Sequence, residues 1–459
     1  MPPRANCPAL QALLRPLRYA RWRAQAPVHP PGFPVVPEVA MTRSSGVLFC
    51  GGGTGGHVLP GLAVAAELRR RKDPPPLRWI GDPARIEAKL VPAADIPLLP
   101  FGLSRPRPKD PRWILRTLGL AWRCWREMTT RPPEVVVALG GYASLLPGLL
   151  APLCGRPLVV LEQNARMGRT NRLLAHFATA VITQFPAAGA GLNPARVLEL
   201  GNPVRVIHPR PRGGAGKIRV LVVGGSLAAR SLNDLLVNSA ENLAKIPNLE
   251  LVHLAGEDDR ARVAAAYAAA GIQAEVMGFC HDMPGLYATI DLAVTRAGAT
   301  TVSELLCAGI PALYVPLPWS ADDHQTANAT AVADAGGAEV LPQATTTPAK
   351  LAARIAALAA DRGAVARMGA KARALARPHA AAQVAMLVGR LARTTRRDAL
   401  DRRRAAARQS ISARLRARDA ALSAGMSAAA PAKRRRDSVT QITQIFEIAK
   451  PGQPVRESA

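Results

Sequence analysis

The chain has 459 residues, of which 49% are hydrophobic and 4% aromatic, a composition that excludes global disorder and predicts two or three domains. Lys and Arg number 60 against 32 Asp and Glu, and this excess indicates an anionic partner. Residues 390–436 hold 15 basic and 3 acidic residues, so much of the excess lies near the C-terminus. Scattered cysteines and the lack of a long unbroken apolar stretch or an apolar signal core predict a soluble cytoplasmic protein.

The first half of the chain alternates short apolar runs with helical patterns. Val47–Cys50 predicts a buried strand, which is followed by the glycine-rich segment 51–56 and by a helix. Further buried strands are predicted at 77–80, 135–139, 158–161 and 180–183. This alternation is typical of a doubly wound parallel sheet with helices on both faces.

The same pattern begins again about 170 residues later. Ile218–Val223 predicts a strand, and the glycine-rich segment 224–230 leads into a second helix. Strands are predicted at 249–254, 274–277, 292–295 and 312–315, and Pro and Gly residues interrupt the pattern near 206–216. We therefore expect two α/β domains in tandem, followed past Arg396 by an Arg- and Ala-rich tail.

The first glycine-rich segment offers an anion site at a helix N-terminus. Gly51, Gly53 and Gly56 match G-x-G-x-x-G, which alone is a weak signal, and His57 in place of Lys excludes a Walker A loop. A dinucleotide-dependent oxidoreductase, with Asp82 as the ribose-binding acid, is one interpretation. The second segment, unless it is only a tight turn, favours a two-domain transferase with donor and acceptor on opposite sides of one cleft.

Two polar groups in the second half are suited to bind a sugar nucleotide. Glu304 lies about one turn inside a helix that follows the small residues 297–301, where a carboxylate can accept hydrogen bonds from the two ribose hydroxyls. The alternative is a carboxylate that only interacts with the helix dipole. Gln325 and Asn328 are three residues apart, so they share a helix face and suit a pair of sugar hydroxyls.

Seven motifs follow one another between Arg43 and Arg393: GGGTGGHVLPGLAVA, GGYAS, LEQNARMGRTNRLLA, GNPVR, GGSLAAR, RAGATTVSELLCAGIPALYVPLPW and DDHQTANA. Together they resemble the UDP-N-acetylglucosamine transferases that complete the lipid-linked peptidoglycan precursor. The resemblance implies an α/β GT-B fold, in which two Rossmann-like doubly wound domains face a cleft. It divides the chain into a non-family extension (1–40, with Met41 as the expected start), a membrane-facing acceptor domain (41–207), a UDP-sugar domain (208–377), a helix that returns to the first domain (378–395) and a basic, disordered tail (396–459).

The resemblance also implies the reaction. It is an inverting transfer of N-acetylglucosamine, without cofactor or metal, from UDP-N-acetylglucosamine to the 4-hydroxyl of undecaprenyl-diphospho-N-acetylmuramoyl-pentapeptide. His57 is the first candidate for the general base, and a phosphate-contacting or capping histidine is the alternative. Glu162 is the other candidate base. Implied donor contacts are Thr54, Gly55, Gly56, Asn164, Arg205, Ser226, Cys280, Ala299, Thr300, Thr301, Val302, Ser303, Glu304 and Gln325, to which we add Asn328; implied acceptor-side residues are Tyr142 and Asn171.

Two positions depart from the family pattern, because Ala228 replaces a usual Gly and Leu161 a frequent His. The segment 112–128 predicts a helix with one apolar face, which includes Ile114, Trp122 and Met128, and an opposite Arg face. We expect this helix to bind an anionic membrane surface on the cytoplasmic side of the inner membrane. The alternative is that its apolar face packs on the first domain and its arginines are only solvated. Nucleic-acid binding through the tail is disfavoured, because the tail lacks interleaved aromatic residues.

Overall fold

The computed structural model describes residues 46–103, 109–207, 216–225, 229–318 and 321–426. Its first half contains seven strands: β1 (Val47–Cys50), β2 (Leu77–Gly81), β3 (Leu98–Pro100), β4 (Val135–Ala138), β5 (Leu158–Glu162), β6 (Ala180–Thr183) and β7 (Val197–Leu198). They form one sheet in the order β3-β2-β1-β4-β5-β6-β7, and each pair is parallel. The central strands β1, β4, β5 and β6 are fully buried, which explains their apolar runs.

The second half repeats this arrangement with six strands. They are β8 (Ile218–Val223), β9 (Leu249–Leu254), β10 (Ala274–Met277), β11 (Leu292–Thr295), β12 (Ala312–Tyr314) and β13 (Ala338–Val340). The order is β10-β9-β8-β11-β12-β13, again with parallel pairs. The two doubly wound domains predicted from the sequence are confirmed. The short strands β3, β7 and β13 at the sheet edges were not predicted.

Helices connect the strands. In the first half they are α1 (Gly55–Arg69), α2 (Glu87–Ala93), α3 (Pro111–Thr130), α4 (Leu145–Leu153) and α5 (Arg169–Ala175). In the second half they are α6 (Ala229–Asn238), α7 (Ala240–Leu243), α8 (Arg260–Ala269), α9 (Met283–Tyr287), α10 (Ala299–Ala308), α11 (His324–Asp334), α12 (Pro348–Ala360), α13 (Arg362–Ala374) and α14 (Ala380–Met426). Short 3₁₀ turns lie at Tyr142–Ser144, Pro186–Gly189, Pro194–Arg196, Glu257–Asp259, Ala321–Asp323 and Gln343–Thr345.

Each sheet has one point at which the strand order reverses. In the first sheet this point lies between β1 and β4, and in the second between β8 and β11. Doubly wound sheets bind ligands in the crevice outside the carboxyl ends of these two strands. The segments that follow β1, β4, β8 and β11 are therefore the places where functional residues are expected, and both glycine-rich segments lie there.

Helix α14 starts in the first half's core and continues beyond it. Val384, Leu387 and Val388 pack with strand residues of the first sheet, and Arg396 forms an ion pair with Glu134. The boundary between two compact units falls after Arg397, and the helix runs on to Met426. Residues 396–426, which we expected to be disordered, are thus helical, since no Gly or Pro interrupts the Ala- and Arg-rich run 390–424.

Helix α3 has two apolar faces instead of the single face that the sequence predicted. Cys124 and Met128 are buried against the first domain. Leu118 and Trp122 remain 61% and 57% exposed, and exposed arginines border them. The two faces lie about a third of a turn apart around the helix, and the apolar pattern in the sequence does not distinguish them from one broad face. In the described part of the chain, no helix has both the length and the hydropathy needed to cross a membrane.

Candidate active site

The glycine-rich turn after β1 is built around a buried carboxylate. Glu87 in the first turn of α2 is 0% exposed, and its carboxylate accepts hydrogen bonds from the backbone N–H groups of Gly53 (2.9 Å) and Asp82 (3.0 Å). A Cβ atom on Gly52 would lie 2.0 Å from Glu87 Oε1, so a side chain at this position would displace the carboxylate. Gly51 and Gly53 have φ of +135° and +91°, a backbone conformation that favours glycine at both positions.

His57 lies in the first helical turn after this segment. Its Nδ1 is 3.1 Å from the carbonyl oxygen of Gly52 and 3.3 Å from the hydroxyl of Thr54. A carbonyl oxygen can only accept, so the contact with Gly52 favours the neutral tautomer that carries its proton on Nδ1. Nε2 then keeps its lone pair, next to the glycine pair at 140–141. Burial lowers the pKa of His57, against the opposing charge of Glu162, so the neutral ring is favoured near neutral pH.

Glu162, the other candidate base, ends β5 and is almost fully buried. Its Oε1 accepts from the N–H (3.0 Å) and the side-chain amide (3.1 Å) of Asn164, and its Oε2 accepts from Gly168 N–H (3.0 Å) and Asn171 Nδ2 (2.9 Å). Four donors occupy this carboxylate, so it fixes the segment 162–171. The geometry therefore favours His57 as the group with a free lone pair.

The remaining acceptor-side residues differ in exposure. Asn171 is buried, and its amide also donates to the carbonyl of Leu161. Leu161 itself lies in the core, so its replacement of a frequent His leaves an apolar side chain there. Tyr142 is 43% exposed and follows Gly140 and Gly141, which have φ of +103° and +77°. Of these residues, Tyr142 has the side chain that a substrate can reach.

Asn328 joins the two halves. Its Oδ1 accepts from Ala165 N–H (2.7 Å), and its Nδ2 donates to Asn164 Oδ1 (3.1 Å) and to the carbonyl of Ala297 (3.0 Å). Asn328 is 0% exposed, so in this structure its amide contacts protein on both sides. Asn202 makes a second link through Ser303 Oγ (3.2 Å).

Glu304 lies where α10 approaches Arg205 from the end of the first half. Its Oε1 accepts from Arg205 Nε (2.7 Å), and its Oε2 accepts from the hydroxyl of Tyr287 (2.9 Å). Burial raises the pKa of Glu304, while Arg205 and Tyr287 oppose the rise. Each carboxylate oxygen keeps a second lone pair, so two ribose hydroxyls can still be bound.

The other donor contacts that we predicted occupy varied positions. Thr54, Gly55 and Gly56 start α1, and Ala299, Thr300 and Thr301 start α10, where backbone amides lack helical acceptors. Val302 lies in a hydrophobic core cluster, and Ser303 is buried, with its hydroxyl donating to the carbonyl of Ala299 (2.8 Å) and accepting from Asn202. Gln325 Oε1 accepts from Leu317 N–H (3.0 Å). Ser226 and Ala228 fall outside the described residues.

Sequence reasoning missed three residues near these sites: Glu87, Arg296 and Phe279. Arg296 directly follows β11 and is 2% exposed. Its guanidinium donates to the carbonyl of Val315 (2.7 Å), to Ser231 Oγ (2.6 Å) and to Gln343 Oε1 (2.6 Å), which are all neutral acceptors. Phe279 is 68% exposed beside the predicted contact Cys280 and offers a surface on which a base can stack.

Two facing Rossmann-like halves, with glycine turns at both strand-order reversals, define a sugar-nucleotide glycosyltransferase of the GT-B class. Residues 47–183 match the N-terminal domain of glycosyltransferase family 28, and residues 219–384 match its C-terminal domain. The carboxylate of Asp82 accepts from Ala84 N–H in a local turn (2.9 Å), and the relatives give no support to an oxidoreductase or a nucleic-acid protein.

Relatives identify the branch of that family. A UDP-N-acetylglucosamine–N-acetylmuramyl-(pentapeptide) pyrophosphoryl-undecaprenol N-acetylglucosamine transferase of Aeromonas hydrophila is 44% identical over 76% of this chain and 98% of its own length. The transferase of the same name from Bordetella parapertussis is 41% identical over the same shares. The crystal structure of Acinetobacter baumannii MurG superposes with a TM-score of 0.64 at 34% identity, covering 75% of this chain and 99% of that one. The chain belongs to the MurG family of glycosyltransferases.

Proposed function

We propose that this enzyme transfers N-acetylglucosamine from UDP-N-acetylglucosamine to the 4-hydroxyl of undecaprenyl-diphospho-N-acetylmuramoyl-pentapeptide, with inversion at the anomeric carbon. The observation that carries the proposal is the match to transferases of this name over 98% of their length, which spans both halves and both crevices. Neither half alone would supply the donor and acceptor sides of the reaction.

The first half provides the base. As the acceptor oxygen forms its bond to the anomeric carbon, its proton moves to His57 Nε2, whose lone pair is left free because Nδ1 donates to Gly52. Glu162 holds the segment of Asn164 and Asn171 in place. Tyr142, exposed beside the same crevice, is available to contact the acceptor.

The second half holds the leaving group. The bond from the anomeric carbon to the diphosphate breaks, and its electron pair stays on UDP. Arg205, Ser226 and the N-termini of α6 and α10 supply positive charge and donors for this diphosphate. Glu304 binds the ribose hydroxyls, Cys280 the uracil through its backbone, and Gln325 the sugar.

The exposed apolar face of α3 brings the enzyme to its lipid-linked acceptor. Ile114, Leu115, Leu118 and Trp122 form this face, and the Arg126 guanidinium lies 5.6 Å from the Trp122 ring centre. Apolar side chains with Trp, bordered by arginines, are typical of a helix that lies in the interface of an anionic membrane. We place the enzyme peripherally on the cytoplasmic face of the inner membrane.

The activity is tested by incubating the protein with UDP-N-acetylglucosamine and the lipid-linked muramoyl-pentapeptide. We expect release of UDP in equal amount to a lipid product heavier by one N-acetylglucosamine residue, measured by a coupled UDP assay and mass spectrometry. Omission of the acceptor is the control for hydrolysis. A protein that binds UDP-N-acetylglucosamine but leaves this acceptor unchanged would contradict the proposed acceptor.

A further inference from the structure

The carboxylate of Glu87 lies behind the glycine turn and has no role in the reaction as described so far. It is completely buried, and no described side chain forms an ion pair with it. A buried carboxylate needs compensating hydrogen bonds, and here both of them come from backbone N–H groups at the carboxyl ends of β1 and β2. The charge is therefore used to hold the backbone that follows two adjacent strands.

The chain is shaped to admit this carboxylate. A Cβ on Gly52 would meet Glu87 Oε1 at 2.0 Å, and a Cβ on Gly81 would meet Glu87 Cγ at 2.8 Å. Gly52, unlike Gly51 and Gly53, has no positive φ, so its own conformation does not require glycine. The space beside Glu87 explains this glycine.

A continuous set of contacts leads from Glu87 to His57. Glu87 Oε2 fixes Gly53 N–H, and the peptide group between Gly52 and Gly53 carries both that N–H and the Gly52 carbonyl oxygen. In a planar trans peptide the two groups point in opposite directions, so fixing the N–H also fixes the carbonyl. That carbonyl accepts from His57 Nδ1, at 3.1 Å.

We propose that Glu87 is a positioning residue for the base: by orienting the Gly52–Gly53 peptide, it keeps the proton on His57 Nδ1 and the lone pair on Nε2. The inference rests on the proposed function, in which His57 Nε2 takes the acceptor proton. Without Glu87 the peptide is free to rotate, and the ring loses the acceptor that selects its tautomer. Turnover then falls, although donor binding in the other half is unaffected.

The tautomer can be read directly by ¹⁵N NMR of histidine-labelled enzyme, since a protonated ring nitrogen and one with a lone pair have distinct ¹⁵N shifts. The spectrum is recorded without substrate at about pH 8, above the ordinary histidine pKa, so that His57 is neutral beside Glu162, Glu87 and His324. His57→Ala assigns the signal. We expect protonated Nδ1 in the wild type and a mixture of tautomers in Glu87→Gln and Glu87→Ala.

Kinetics supply the second readout. Both Glu87 variants should lose kcat by roughly 10- to 100-fold, the scale of a misplaced catalytic group, with the KM for UDP-N-acetylglucosamine within about threefold. Glu134→Gln is the matched control, because Glu134 is also buried in this domain but pairs with Arg396 far along the chain. In this control, the His57 tautomer, kcat and KM should all remain as in the wild type.

Two results would overturn the inference. One is a wild-type His57 protonated on Nε2, which needs no variant to be folded. The other is a folded Glu87 variant that keeps the wild-type tautomer and turnover. The proposed function fails on a different result. If the enzyme does not transfer sugar to the lipid-linked acceptor, that function is contradicted. The NMR comparison of the wild type with the Glu87 variants still decides whether Glu87 sets the His57 tautomer.

Discussion

The two strand-order reversals of this enzyme are alike in backbone and opposite in buried charge. In the first half, the turn after β1 lies against the carboxylate of Glu87. In the second half, the residue after β11 is Arg296, whose guanidinium contacts Ser231 in the first turn of α6. Both charged groups are almost fully buried, and neither has a described partner of opposite charge.

This difference matches the roles that we propose for the two halves. A carboxylate that accepts two N–H groups fixes a peptide, as a general base requires. A guanidinium that donates only to neutral oxygens keeps its positive charge uncompensated, which favours a diphosphate that gains charge as it leaves. Burial lowers the pKa of Arg296 to about 10, so this side chain remains charged at neutral pH. In the proposed mechanism, the same fold thus serves acceptor activation in one half and the leaving group in the other.

The largest effect should come from His57→Ala, which removes the proposed base from the first half. We expect kcat to fall by about 10²- to 10⁴-fold. Because burial lowers the pKa of His57 from 6.5, wild-type kcat/KM should fall only below about that pH as the ring takes up a proton, and the variant should lack this decline. If Glu162→Gln abolishes turnover while His57→Ala retains it, the role of base passes to Glu162.

The next largest effect concerns the exposed apolar face of α3, which we propose contacts the membrane. Reversing the charge of Arg116, Arg123 and Arg126 should weaken binding to anionic vesicles by roughly 100-fold or more, at about 1 kcal/mol per arginine, and should hardly change binding to neutral vesicles. Cosedimentation of proteins that lack residues 396–459 measures this. Reversal of Lys217, Arg260 and Arg367, exposed in the second half, is the matched control. Equal losses in the two triple variants would refute the role of α3.

In the second half, Glu304→Ala should weaken binding of UDP-N-acetylglucosamine by about 10- to 150-fold, the loss expected for hydrogen bonds to a charged group. The fold should survive, because Arg205, which is partly exposed, can turn to solvent. Titration calorimetry gives the affinity, and circular dichroism checks the fold. An unchanged donor affinity would remove Glu304 from the ribose site.

Arg296→Met sharpens the comparison of buried charges. We expect UDP affinity to fall by roughly tenfold or more, while the affinity for uridine, which lacks the diphosphate, stays within about threefold. Arg296→Lys, which keeps the charge, should recover most of the UDP affinity. Equal losses for UDP and uridine would show that Arg296 only holds the surrounding loops together.

The sequence predicts the central strands well because their apolar runs are short and buried, and most of them are bounded by Gly or Pro. It misses β3, β7 and β13 because edge strands of two or three residues carry little periodicity. Glu87 and Arg296 could not be predicted as site residues, because the hydrogen bonds that define their roles are made with groups that only the fold brings near. The one apolar face predicted for α3 proved to be two, because the packing of Cys124 and Met128 against the domain has no local signal.

The assignment of the base to the first half and of the nucleotide to the second is tested most directly by measuring UDP affinity in the absence of acceptor. Calorimetric titration of the wild type, His57→Ala and Glu304→Ala supplies the comparison. We expect His57→Ala to bind UDP within about threefold of the wild type, as for a residue that does not contact it, whereas Glu304→Ala should lose about tenfold or more. Comparable losses in both variants would contradict the assignment of base and nucleotide to different halves.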